Sequence, residues 1–155
     1  MSDEILDAWK AAQFNWLPEL QSLVPSKVKA TATLRTQDNP INSLLMSACA
    51  HGSLQCAEYL LANEADPNQR NFAGYTALHW AAYTGRTECV KLLVENNAEV
   101  DCRTNDGRTP LHIAALRGHK KFIELLLSLE TPADEAAVAS NGWTAVHFAV
   151  ISNQK

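Results

Sequence analysis

One tetrapeptide returns on a fixed schedule. Thr76-Ala77-Leu78-His79 recurs as Thr109-Pro110-Leu111-His112 after 33 residues, and as Thr144-Ala145-Val146-His147 after another 35. A glycine stands two positions before each copy (Gly74, Gly107, Gly142), and small or apolar residues follow it (Ala81-Ala82, Ala114-Ala115, Ala149-Val150). A period of this size constrains the fold more than any other feature of the chain. One unit cannot bury its own apolar face, so it must stack on copies of itself.

The unit from Asn71 to Thr104 shows the internal grammar. Residues 71–75 read as a turn around Gly74. Thr76 is the expected N-cap of a first helix, its hydroxyl accepting from an early backbone N–H. That helix runs from Ala77 to about Thr84 and places Leu78, Ala81 and Ala82 on one face. Gly85 ends it in the left-handed cap position. A second helix carries Cys89, Val90, Leu92, Leu93 and Val94, and Asn97 closes it as the next-best residue to glycine for a left-handed cap. The next unit repeats this pattern, with Pro110 at the first helical position and Phe122 to Leu127 as the second apolar face.

With these motifs the chain resembles the ankyrin-repeat family. The resemblance implies an all-α solenoid of stacked helix-turn-helix units with β-turn fingers, forming one domain over residues 1–155. Its expected parts are an N-terminal capping helix pair and loop (1–38), repeats at 39–70, 71–104 and 105–141, and an incomplete final repeat (142–155). The unit before the template is looser: Asn42 to Met46 lacks the glycine and the histidine, and Glu64 stands where a left-handed glycine is usual. At the N-terminus Ala11-Ala12, Leu17, Leu20 and Leu23 fall in phase, and Lys10 stands where Trp80, Ile113 and Phe148 stand later, as suits a polar-faced cap. The connector 128–140 holds two extra residues and Pro132, so a remodelled loop is expected there. Val146, Val150 and Ile151 would lack half their cover, which leads to the expectation of an N-terminal piece of a longer protein, or of self-association through an uncapped C-terminal face.

Several chemistries are weighed and set aside. The 155 residues carry a net charge of −4, which disfavours a phosphate-tracking nucleic-acid surface. No apolar run reaches membrane-spanning length. Cys49, Cys56 and Cys89 fall at repeated apolar positions and read as core residues rather than metal or disulfide partners. His79, His112 and His147 recur one per unit, whereas a metal site needs ligands that converge on one ion. The resemblance implies a structural role for them, bonding within the turn and to the next unit. His51 and His119 flank inter-helix breaks and are expected at the surface or as caps. Lys27, Lys29 and Arg35 form a mildly basic connector. No phosphate loop, GxSxG or HExxH pattern occurs, so no catalysis, cofactor or metal is expected. Leu60, Asp66 and Asn68 resemble the surroundings of hydroxylated asparagines in ankyrin repeats, but a turn asparagine bonding the backbone is the stronger reading.

The family resemblance places partner contacts around the turn glycines and on the exposed ends of the first helices. Carried over by position, the sites are Phe72, Tyr75, Tyr83, Arg108, Leu116, Arg117 and Trp143, with Asn42 and His51 at the looser unit. Tyr, Trp and Arg are the side chains that most often carry binding energy. Phe72 and Leu116 have no core task in this alignment, whereas Trp80 aligns with Ile113 and Phe148 and is expected in the core. The expected function is protein–protein recognition through the concave face and finger tips, with a partner that carries carboxylates. The expected setting is an adaptor in the cytoplasm, with the nucleus as an alternative. A small regulatory or inhibitory subunit and a targeting domain of a larger enzyme or channel are the alternatives in function.

Overall fold

The computed structural model describes residues 3–24 and 43–153. Lys27, Lys29, Arg35 and Asn42 lie outside the described residues. The elements are α1 (Asp3–Phe14), α2 (Leu17–Leu23), α3 (Leu44–His51), α4 (Leu54–Ala62), α5 (Ala77–Thr84), α6 (Glu88–Glu95), α7 (Pro110–Arg117), α8 (Lys120–Leu127) and α9 (Ala145–Ser152). The first helices α1, α3, α5, α7 and α9 pack side by side in chain order, and α2, α4 and α6 form a second row behind them. The result is the all-α solenoid that the period requires.

The alanine pairs explain how closely the first helices approach. Ala11, Ala12, Ala48, Cys49, Ala81, Ala82 and Ala114 are fully buried along the front row. In the back row Cys56, Cys89 and Phe122 occupy equivalent positions and are all fully buried, as are Leu60, Leu93 and Leu126. The expected core role of the cysteines therefore holds, and Cys102 joins them at 9% exposure. All four thiols are free.

Helix ends follow the sequence with instructive substitutions. α5 spans the expected residues and stops at Gly85, which is left-handed with φ 74°. A Cβ there would lie 2.8 Å from Nδ1 of His119, so the next unit uses the space that glycine leaves. Asn97 is left-handed as expected (φ 64°), and Glu64 takes the same conformation (φ 68°) despite its side chain. Asn15 does so between α1 and α2 (φ 57°), a turn that the sequence reading did not single out. Ser43 replaces threonine as the cap of α3, its Oγ accepting from the Met46 N–H at 3.1 Å. Met46 fills the histidine position and is buried.

The remodelled connector after α8 is tied down by three buried alanines, Ala133, Ala137 and Ala139. The carboxylate of Asp101 accepts from the Asp134 N–H at 3.0 Å. α9 buries Phe148 against the array, while Val146 and Val150 are 67% and 53% exposed. Beside it, Leu111, Ala115, Ile123, Leu127, Ala145 and Ala149 line an apolar groove of about 120 Å³.

Candidate functional site

The repeated histidines close a capping box in which imidazole takes the place usually held by Glu or Gln. Nδ1 of His79 accepts from the Thr76 N–H at 3.1 Å, and His112 and His147 accept from Thr109 and Thr144 at the same distance. An accepting Nδ1 puts the ring proton on Nε2. That Nε2–H then donates forward to the next unit: His79 to the Arg108 carbonyl and His112 to the Trp143 carbonyl, each at 3.1 Å. One side chain thus caps its own helix and fixes the register of its neighbour. Burial holds His79 neutral, lowering its pKa to about 4, and lowers that of His112 as well. The imidazoles of His79 and His112 are saturated by threonine and carbonyl partners. No His, Cys, Asp and Glu cluster suited to a metal occurs among the described residues.

The fingers are stitched together by the same period. Asn105 N–H donates to the Ala73 carbonyl and Ser140 N–H to that of Asp106, each at 3.0 Å. Arg70 donates to the Arg103 carbonyl and Arg103 in turn to that of Val138. The Asn68 side chain bonds backbone as expected, but that of the next unit, while the residue's own N–H donates to Asp66 within the turn. Its Nδ2 donates to the Asn97 carbonyl at 2.9 Å and its Oδ1 accepts from the Glu99 N–H at 2.8 Å, so both ends of the amide hold the next unit. His119, expected at the surface or as a cap, is half-buried at the N-cap position of α8 without a side-chain bond to that helix; its Nε2 instead donates to the Tyr83 carbonyl at 3.1 Å. His51 is exposed, with its ring on the Ser47 carbonyl.

Between fingers and helix ends lies a surface of rings and guanidinium groups. Tyr75 packs against Trp80 with centroids 5.6 Å apart, and Trp80 meets Tyr83 edge-on at 5.7 Å. The Arg117 guanidinium lies over the Tyr83 ring at 4.2 Å, within cation–π range. A second group follows one unit on: Arg108 pairs with Asp106 at 2.9 Å and lies over Phe148 at 5.4 Å, and Trp143 stands edge-on to Phe148. Tyr83 is 39% exposed, Trp143 37% and the finger-tip Phe72 77%.

Five of the expected site residues thus fall into two clusters, and two do not. Phe72 stands alone on its finger. Leu116 is half-buried and packs on the core, which corrects the expectation that it has no core task. Trp80, expected in the core, is half-buried with its ring shared between the core and the tyrosines. Its indole N–H is out of water without an acceptor among the described residues, so ring packing rather than hydrogen bonding holds it. Alignment with Ile113 and Phe148 assigned it wholly to the interior because position alone does not register its size.

Stacked helix pairs, projecting turns and the threonine–histidine lock define a repeat scaffold built by nearest-neighbour contacts. The family model for ankyrin repeats (many copies) matches residues 45–94 and 78–127, which together cover more than half of the chain. The chain belongs to the ankyrin-repeat family. A comparison with curated protein sequences found no match. Ankyrin repeats generally serve as protein–protein interaction modules, and the fold is typically non-catalytic. No described helix is long and apolar enough to cross a membrane.

Proposed function

We propose that this chain is a non-catalytic adaptor that binds a protein partner on the surface formed by Tyr75, Tyr83, Arg117, Arg108 and Trp143, with Phe72 and Leu116 at its margin. The observation that carries the proposal is the Arg117–Tyr83 stack, exposed at the ends of two neighbouring first helices and continuous with Trp80 and Tyr75. Tyrosine, tryptophan and arginine present large, rigid contact area, and a stacked guanidinium keeps its N–H edge free to bond. Four free, buried thiols support a reducing compartment, for which the cytoplasm is the proposed setting.

A pull-down from the source cell's lysate tests this, comparing the wild-type chain with a Tyr75→Ala, Tyr83→Ala, Arg117→Ala variant of matched helicity. A protein held by the wild type and lost by the variant is the expected result. Identical catches would move the binding site elsewhere on the array.

A further inference from the structure

Charge is sorted along the helix axes of this array. The edge where first helices pass to second helices carries Arg86, Arg117, Lys120 and Lys121, all exposed, against one exposed carboxylate, Glu88, in the first turn of α6. None of these four forms an ion pair among the described residues. The opposite edge, where second helices end, exposes the carboxylates of Glu64, Asp66, Glu99, Asp101, Asp134 and Glu135. The three arginines near that edge are already engaged, Arg70 and Arg103 with backbone carbonyls and Arg108 with Asp106. Lys10 pairs with Asp7, and Lys91 on α6 is exposed without an ion pair, so four of the five unengaged cations among the described residues lie on one side.

Three further features shape that side. A recess of about 330 Å³ opens between the Gly85 and Gly118 turns, with Lys120 and Lys121 in its wall. Arg117 lies over Tyr83 with its guanidinium carbon 4.2 Å from the ring centroid, and its N–H groups, in no ion pair among the described residues, suit bidentate carboxylate contact. The Tyr83 ring joins this edge to Trp80 and Tyr75. Cations and apolar area therefore meet at one corner of the array.

We propose that this edge receives an acidic protein segment, with its carboxylates on Arg86, Arg117, Lys120 and Lys121 and its apolar neighbours on Tyr83 and Trp80. The inference rests on the reading of the aromatic surface as the partner site and adds the partner's chemistry and direction. The net charge of −4 favours a short segment over a polynucleotide or an anionic bilayer. Charges farther apart than about 8 Å are largely screened at physiological ionic strength, so a narrow segment responds to the local edge. An extended polyanion would also meet the carboxylates of the rest of the surface.

The test is a randomised peptide display selection on the full chain, followed by titration of the enriched peptide by fluorescence anisotropy. Peptides with an Asp/Glu block beside apolar residues are expected, with affinity that falls as salt rises. An Arg86→Glu, Arg117→Glu, Lys120→Glu, Lys121→Glu variant of unchanged helicity should bind at least about tenfold more weakly, a loss of about 1.4 kcal/mol. A Glu99→Lys, Asp101→Lys control on the opposite edge should bind as the wild type does. Enriched peptides without acidic bias, or binding untouched by the charge reversal, would overturn the inference. So would polyuridylate RNA or phosphatidylserine vesicles binding more tightly than the peptide. Loss on Tyr75→Ala, Tyr83→Ala but not on charge reversal would leave the aromatic site standing and remove the acidic partner. Enrichment of no peptide at all would count against both.

Discussion

His112 and His147 carry the same motif and close the same cap, each with Nδ1 3.1 Å from its threonine N–H. His112 is 1% exposed and its Nε2 is bonded to the next unit. His147 is exposed, and its Nε2 has no hydrogen-bond partner among the described residues. The motif therefore suffices to build the helix start, because every atom of the cap lies within four residues. Burial and the second bond come from the neighbour, and the motif cannot supply them.

Paired substitutions test this contrast. The largest effect is expected for Leu78→Ala or Leu111→Ala, which should each cost about 2–5 kcal/mol in urea unfolding as truncations within the filled core. Val146→Ala, at the equivalent position on the open face, should cost less than about 1 kcal/mol. Equal losses would show that the face of α9 is covered.

Acid comes next. His79 must be neutral, since a proton on Nδ1 would oppose the Thr76 N–H. Its pKa in the fold is about 4, below the value of about 6.5 of an unfolded chain. The unfolded chain thus takes up the proton first as pH falls. The contribution is whole above about pH 6.5 and is lost toward pH 4, by roughly 3 kcal/mol. His112 shifts in the same direction. His79→Gln, which keeps the cap acceptor, should flatten the pH dependence of the unfolding midpoint between those limits.

The turns sharpen the comparison further. Gly85→Ala should cost about 2 kcal/mol, combining left-handed strain with a clash against His119, whereas Gly142→Ala should cost about 1, from strain alone. Both glycines are left-handed, but a Cβ at Gly142 would have nothing within 4 Å. At Glu64 the sign reverses: Glu64→Gly should stabilise by up to about 1 kcal/mol by relieving φ 68°. The smallest effect is expected for Tyr83→Ala with Arg117→Ala. A stack at the surface contributes roughly 0.5–1 kcal/mol, so the thermal midpoint should move little while binding is lost.

Most of the solenoid was legible because its rules are local. The spacing of Leu78, Ala81 and Ala82, the threonine caps and the left-handed Gly85 and Asn97 each depend on residues within a turn or two. Asn15 went unread because asparagine is less specific for the left-handed region than glycine. The candidate site was legible as a set of positions, not as a geometry. Tyr83 and Arg117 lie 34 residues apart in the sequence, and their stack exists because the period brings one helix end beside the next. Leu116 and Trp80 are both half-buried against the core, and Trp80 also meets Tyr75 and Tyr83, a division that an alignment of equivalent positions does not contain.

By itself, then, the sequence determined the helices, their caps, the period and the need to stack, since these follow from short-range hydrogen bonding and from an apolar face that one unit cannot bury. Tertiary structure alone decided which histidines are locked and kept neutral, how the rings and guanidinium groups combine, and that four of the unengaged cations gather on one edge. Each of those depends on contacts between units, where distance in space is no longer set by distance along the chain.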